Sequence, residues 1–264
     1  MFINNFDPVA IEILSFQIHW YSLAYIFGII LGWLYIKKFL LESLKLKILF
    51  EDLISYLILG IIIGGRLGYI IIYNPDYYFN NPLKIIAIWE GGMSFHGGVL
   101  GIIFANYLFS KKNNLNNFFF LDLISMVAPI GIFLGRIANF INSELIGRPT
   151  EFFINIIFIK IDNIPRHPSQ IYEAIFEGII LFLLLNFIFK SKRVVPGIIS
   201  SLFLIFYSLF RFFLEFLREP DEHLGLIMNY FSYGQIISIV FFVAGLIILK
   251  LKKNEKNTTR YLYK

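Results

Sequence analysis

The stretch FFFLDLISMVAPIGIFLGRIANFI, residues 118–141, decides the fold. It is apolar except for Asp122 and Ser125 near its start and Arg136 and Asn139 near its end. About 20 apolar residues in a helix cross the roughly 30 Å of bilayer hydrocarbon. Comparable runs occur at Trp20–Ile36, Leu53–Tyr73, Gly91–Phe109, Ile171–Phe189, Val194–Leu217 and Tyr230–Leu251. The chain is 58% hydrophobic and only 16% charged, against about 25% charged in soluble domains. Soluble helices need a polar face, which these runs lack. The expected fold is an all-α polytopic membrane protein of about seven transmembrane helices, with residues 1–264 forming a single integral membrane domain.

The charges set an orientation. Lys37, Lys38, Lys45 and Lys47 follow the first span, and Lys111 and Lys112 the third. Lys190, Lys192 and Arg193 follow the fifth, and Lys250, Lys252, Lys253, Lys256, Arg260 and Lys264 the seventh. The opposite segments hold only Lys84, Arg148, Lys160 and Arg166. The positive-inside rule then puts the N-terminus outside and the C-terminus in the cytoplasm. The net charge of +5 is thus a topology signal, not the clustered basic surface that nucleic acid would require. Residues 1–18 hold Asp7 and Glu12 but no Lys or Arg, so no cleavable signal is expected.

Between the spans, residues 74–90 (NPDYYFNNPLKIIAIWE) read as an interfacial arm. Residues 142–168 form the longest outer insertion, a small head whose run Ile154–Ile161 reads as strand. Residues 218–229 are short and charged. Glycines recur at four-residue spacing: Gly28 and Gly32, Gly60, Gly64 and Gly68, Gly97 and Gly101, Gly131 and Gly135. That spacing lets membrane helices approach closely. No transporter-type internal repeat is visible.

The chain contains no cysteine, which excludes disulfides, thiolate metal sites and a cysteine nucleophile of its own. His19, His96, His167 and His223 show no metal-ligand spacing, so no metal is expected. Polar residues gather instead at one depth. Arg66, Arg136, Arg211 and Arg218 lie in or at the ends of spans, and four arginines facing lipid would cost on the order of 10 kcal/mol. They must face a cavity or partners. Arg211, Glu215 and Arg218 share a helix face at i, i+4, i+7. This stripe keeps a net positive charge and reads either as an anion clamp or as a structural ion-pair ladder. Arg136 and Asn139 share another face, with Asn142, Glu144 and Gly147 beyond. Gln170, Glu173 and Glu177 share a third, and Glu177, the deepest, needs a partner such as an arginine. His167 reads as a solvated loop residue, and Tyr21 beside Trp20 as an interface anchor.

With Tyr21, His96, Asn139, Glu144 and Glu173, these residues suggest a polar, cationic chamber toward the outer leaflet. Its natural ligand is a phospholipid headgroup. Toward the cytoplasm the main polar residue is Asp122. A flippase for anionic lipid would need a polar route through that apolar half. An intramembrane serine protease would pair Ser94 with His96, but no Gly-x-Ser-x-Gly turn surrounds that serine.

At these residues the chain resembles the bacterial phosphatidylglycerol–prolipoprotein diacylglyceryl transferase family. GRIANFINSELIG (135–147) is similar to its signature, and HWY (19–21), GGMSFHGG (91–98), RHPSQIYE (166–173) and RFFLEFLREPD (211–221) to its other blocks, in the family's order. Ala138 stands where many members carry glycine. The resemblance implies an inner-membrane enzyme without metal or organic cofactor. It would transfer sn-1,2-diacylglyceryl from phosphatidylglycerol to the lipobox cysteine thiol of prolipoproteins, forming a thioether and releasing glycerol phosphate. His96 is then the candidate base, or a cavity-shaping hydrogen-bonding residue. Arg136 and Arg211 are the candidates for the lipid phosphate. Tyr21 joins His96 and Arg211 as catalytic candidates, while Asn139, Glu144, Gly147, Glu215 and Arg218 complete the expected substrate site.

Overall fold

The computed structural model describes residues 2–14, 16–191, 195–220 and 230–254. Lys192, Arg193, Asp221, His223, Lys256, Arg260 and Lys264 lie outside the described residues, as does most of segment 218–229. The chain is mostly helical. In order the elements are β1 (Phe2–Asn4), β2 (Val9–Ile13), β3 (Phe16–His19), α1 (Trp20–Tyr35), α2 (Leu44–Tyr73), α3 (Pro75–Asn80), α4 (Phe95–Lys112) and α5 (Asn117–Asn142). Then follow β4 (Ile156–Phe158), β5 (Pro165–Arg166), α6 (Ser169–Glu173), α7 (Leu181–Ser191), α8 (Ile198–Leu214) and α9 (Tyr233–Asn254). Among the described residues, five helices are long and apolar enough to cross a membrane: Trp20–Leu40, Asn117–Asn142, Ser169–Lys190, Ile198–Leu217 and Tyr233–Lys253. The residues divide into two compact units, one of residues 1–40 with 122–262 and one centred on residues 41–121.

In the first unit, glycines bring α1 onto α5. A Cβ at Gly28 would lie 3.1 Å from the Gly131 Cα, and one at Gly32 would lie 3.2 Å from Val127. Asp122, fully buried, accepts hydrogen bonds from the Gly197 and Ser200 backbone N–H groups (2.8 Å each) and from the Ser200 hydroxyl (2.6 Å). It thus caps the start of α8 from another helix, where a carboxylate meets the positive end of the helix dipole. That answers why an acid stands in the apolar half.

Of the run Ile154–Ile161, expected as strand, only Ile156–Phe158 is strand, as β4. Its partners are β5, antiparallel, and β1, parallel, with Phe2 opposite Ile156 and Asn4 opposite Phe158. Asn4 is fully buried and donates to the Phe140 carbonyl (2.7 Å), locking this strand to the end of α5. A hairpin of β2 and β3, turning at Leu14 with φ +58°, leads into α1.

In the second unit, α2 and α4 pack through glycine. A Cβ on Gly101 would lie 1.9 Å from the Gly60 carbonyl oxygen, and one on Gly97 would lie 2.3 Å from that of Gly64. The helix α2 starts nine residues earlier than the apolar pattern suggests, taking in Lys45 and Lys47. The helix α4 starts later, at Phe95, because Gly91 and Gly92 adopt φ +83° and +78°. Those conformations, open to glycine, turn two carbonyls toward Arg66. The buried Arg66 guanidinium donates to the carbonyls of Lys84 (2.6 Å), Ile85 (2.9 Å), Gly92 (3.2 Å) and Gly91, and lies 5.1 Å from the Tyr78 ring. One arginine thus organises segment 74–92 with backbone partners. The arginine expected to face a cavity or partners finds these carbonyls as partners within its own unit.

Gly101→Val forces a side chain against the Gly60 carbonyl, and overpacking of this kind costs about 1–3 kcal/mol. Gly98→Ala meets no atom closer than 3.9 Å and gains helix propensity, up to about 1 kcal/mol. Denaturant unfolding in detergent should show the first variant destabilised and the second neutral or more stable.

Candidate active site

The first unit contains a buried ion network drawn from three membrane-crossing segments. Glu173 ends α6, and Glu177 sits one turn on, in the π-helical stretch Ala174–Ile180 that joins α6 to α7. Such wide turns inside helices mark functional sites more often than chance. Arg136 comes from α5, Arg211 from α8, and Glu215 from the 3₁₀ turn that ends α8. The Glu173 carboxylate bridges both guanidinia, with Oε2 2.9 Å from Arg136 Nε and Oε1 2.7 Å from Arg211 Nη1. Glu177 Oε2 accepts from Arg136 Nη2 at 3.1 Å, while its Oε1 lies 3.8 Å from Arg211 Nη1. Glu215 Oε2 lies 2.7 Å from Arg211 Nη2, and its Oε1 accepts from the Ser232 hydroxyl at 3.0 Å. Both Glu173 and Glu177 side chains are 0% exposed, while Arg136 keeps 14% and Arg211 11%.

The partner that Glu177 required is therefore Arg136, and Glu215 does neutralise Arg211. The charge balance, however, differs from the expected cationic chamber. Two arginines and three glutamates sum to one negative charge when all are ionised. The helix pattern of α8 showed only Glu215 beside Arg211. It could not show that Glu173 and Glu177 come from another helix to the same guanidinium. Ser232 and Gly234 were also missed. A Cβ on Gly234 would stand 2.8 Å from Glu215 Oε1, so glycine there lets the carboxylate approach, and no local sequence signal marks it.

A second cluster joins the end of α5 to the start of α6. Asn139 and Asn142 donate to the two oxygens of Glu144 at 3.0 and 3.2 Å. Gln170 donates to the Glu144 carbonyl (2.6 Å), and Ser169 to that of Leu145 (2.9 Å). Ser143 and Leu145 hold left-handed backbone conformations, φ +58° and +54°. Strain of that kind persists where surrounding contacts impose it, often at functional sites. The carboxylate of Glu144 is thereby exposed and oriented. Gly147 forms a bridge to Arg218, and a Cβ on it would lie 2.1 Å from the His167 carbonyl oxygen. Its backbone contacts explain why a glycine stands there. Arg218 itself is buried.

Arg166 fastens segment 142–168. It pairs with Asp162 (2.6 Å) and Glu219 (3.0 Å) and donates to the Gly147 carbonyl (3.1 Å). The Asp162 carboxyl is held below the usual carboxylate range, chiefly by the Arg166 hydrogen bond. His167 departs from the solvated residue expected. It is partly buried between Phe152 and Tyr172, with ring centroids at 6.2 and 6.0 Å, and burial lowers its pKa.

Tyr21 lies in the first turn of α1, edge-on to Tyr25 at 5.1 Å. His96 belongs to the second unit, exposed in the first turn of α4. Beside it, Ser94 is buried, and its hydroxyl accepts from the Gly97 N–H as the cap of α4. A buried cap is poorly placed to act as a protease nucleophile.

A family model described as prolipoprotein diacylglyceryl transferase matches residues 8–251. The phosphatidylglycerol–prolipoprotein diacylglyceryl transferase of Rickettsia canadensis (strain McKiel) is 49% identical over 250 residues, covering 93% of this chain and 96% of the relative. The protein of the same name from Rickettsia typhi (strain ATCC VR-144 / Wilmington) is 50% identical over 251 residues, again 93% and 96%. That from Rickettsia bellii (strain OSU 85-389) is 47% identical over 251 residues, 93% and 95%.

Glu173→Ala leaves two buried guanidinia short of a shared partner. Breaking a buried pair in this way costs about 3–5 kcal/mol, so the folded fraction in detergent should fall sharply, with Glu173→Gln less affected. In segment 142–168, the depressed carboxyl of Asp162 contributes stability that is fully present above the unfolded Asp value of about 3.9. It is lost as pH falls through the lower folded value. Thermal melts of wild type and Asp162→Asn should differ at pH 7 and converge below pH ~4.

Proposed function

The chain belongs to the prolipoprotein diacylglyceryl transferase family, and we propose that its polar network is where the diacylglyceryl group passes from phosphatidylglycerol to a prolipoprotein. It is a membrane enzyme of lipoprotein biosynthesis. The observation that carries the site assignment is the Arg136–Glu173–Arg211 bridge within membrane-crossing segments. Charges held there at such cost point to function. Among the described residues Arg136 Nη1 takes part in none of the carboxylate contacts. A phosphate oxygen can therefore join it without dismantling the network.

In this reading the acceptor is the lipobox cysteine of the prolipoprotein signal peptide. Its sulfur forms a bond to the glyceryl carbon as the carbon–oxygen bond to phosphate breaks, giving a thioether and glycerol phosphate. The phosphate goes from one negative charge toward two, so Arg136 and Arg211 act most strongly in the transition state. The carboxylates of Glu173, Glu177 and Glu215 hold both guanidinia in place. A free thiol has a pKa of about 8.5 and is mostly protonated at neutral pH, and His96 is assigned its proton. Tyr21, Asn139, Glu144, Gly147 and Arg218 are assigned to the lipid and peptide around the reacting atoms, Glu144 through its oriented carboxylate. No metal or organic cofactor is needed for this displacement.

The whole chain works as one domain in the bacterial inner membrane, with its N-terminus periplasmic and its C-terminus cytoplasmic. The apolar glycine-packed parts of α2 and α4 are its second and third spans, which makes seven. Residues 142–168 form the periplasmic head. Residues 74–90 form the interfacial arm, supported by the exposed Phe79, Leu83 and Trp89.

The test uses purified protein in detergent with labelled phosphatidylglycerol, a lipobox peptide and its Cys→Ser control, followed by peptide mass. A diacylglyceryl adduct should appear on the cysteine peptide alone. Arg211→Ala and His96→Gln should each lose about 10²–10³ in rate, the scale of removing one transition-state donor. Arg211→Lys tests whether charge or the bidentate fork matters. Near-wild-type turnover in both His96→Gln and Arg211→Ala would overturn the assignment.

A further inference from the structure

We infer that Glu177 takes up one proton when the lipid phosphate joins the Arg136–Arg211 network, so that headgroup binding and protonation of this carboxyl are a single event. The inference rests on the assignment of Arg136 and Arg211 to the lipid phosphate. Its basis is the charge count. Arg136 and Arg211 face Glu173, Glu177 and Glu215, one negative charge in excess. A phosphodiester brings another. Two uncompensated charges in a nearly solvent-free site are costly, and one proton from solvent restores the original balance.

Geometry selects the carboxyl. Glu173 has each oxygen within 2.9 Å of a different guanidinium. Glu215 has one oxygen on Arg211 and the other on the Ser232 hydroxyl. Glu173 Oε2 and Glu215 Oε2 also accept no well-aligned hydrogen bond, but each lies within 2.9 Å of a guanidinium nitrogen, and that proximity holds both carboxylates as anions. Glu177 has only Oε2 in hydrogen bonds, both from Arg136 (3.1 and 3.3 Å). Its Oε1 is buried without a hydrogen-bond partner among the described residues, and Arg211 Nη1 stands off at 3.8 Å. The groups that act on Glu177 electrostatically are Arg136 from α5, Arg211 from α8 and Glu173 on its own segment, and Tyr207 of α8 also interacts with it. None of them gives Oε1 a close donor. Protonation turns that unpartnered acceptor into an O–H donor, which a phosphate oxygen can accept.

The experiment is calorimetric binding of dioctanoyl phosphatidylglycerol to the full chain in detergent. It is run at several pH values and in two buffers of different ionisation enthalpy. Wild type should take up close to one proton per lipid, and Kd should rise about tenfold per pH unit across the range of uptake. Glu177→Gln, which mimics the protonated carboxyl, should bind with no proton uptake and a flat pH profile. Wild-type binding without proton uptake overturns the inference even if the variant does not fold. So does an unchanged proton count in Glu177→Gln. Unchanged lipid affinity in Arg136→Gln and Arg211→Gln overturns the underlying assignment of the phosphate instead, whatever the proton count.

Discussion

The Glu173 carboxylate between Arg136 and Arg211 is the contact on which the first unit depends. Each group alone would be a charge inside a membrane-crossing segment, costing several kcal/mol. Together they tie α5, α6 and α8 at one depth. The π-helical stretch after Glu173 keeps Glu177 within reach of the same arginines. Removing any member strands the others, so the network ties folding to the chemistry proposed for it. The same carboxylates that make the arginines tolerable also make them poorer anion traps at rest, since an incoming phosphate meets a site that already carries one negative charge in excess.

Much of this was legible in the sequence because the bilayer makes polar residues conspicuous. Arg136 and Arg211 stand out in apolar runs, and the need of Glu177 for an arginine followed from its depth. Helix periodicity relates residues along one helix only. It therefore revealed Glu215 beside Arg211 but not the arrival of Glu173 and Glu177, and so mistook a network with an excess of carboxylates for a positive one. Arg66 shows a different gap. An arginine in a span must find partners, yet the pattern does not say whether they are carboxylates or the carbonyls of Lys84, Ile85, Gly91 and Gly92. The positive φ of Gly91 and Gly92, which places two of them, is invisible in a GG pair that also suits helix packing. His167 was misread because the neighbours that bury it include Phe152, fifteen residues away.

Asp122 illustrates a third case. Its sequence context, one acid among aromatics and leucines, demanded an explanation without supplying one. The explanation lies 75 residues on, in the free N–H groups of Gly197 and Ser200. A helix begun by glycine has no side-chain cap of its own, and the acid supplies one from across the bundle.

The parallel pairing of β1 with β4 has a consequence for biogenesis. Phe2 and its partner Ile156 are 154 residues apart. At roughly 5–20 residues per second of synthesis, β1 waits on the order of ten to thirty seconds before its partner exists. During that time α1 to α5 are all made, while Asn4 still lacks Phe158 beside it. The strand is therefore a delayed closure: it fastens the beginning of the chain to segment 142–168 only after α1 to α5 have been made, and before α6 to α9 of the same unit exist.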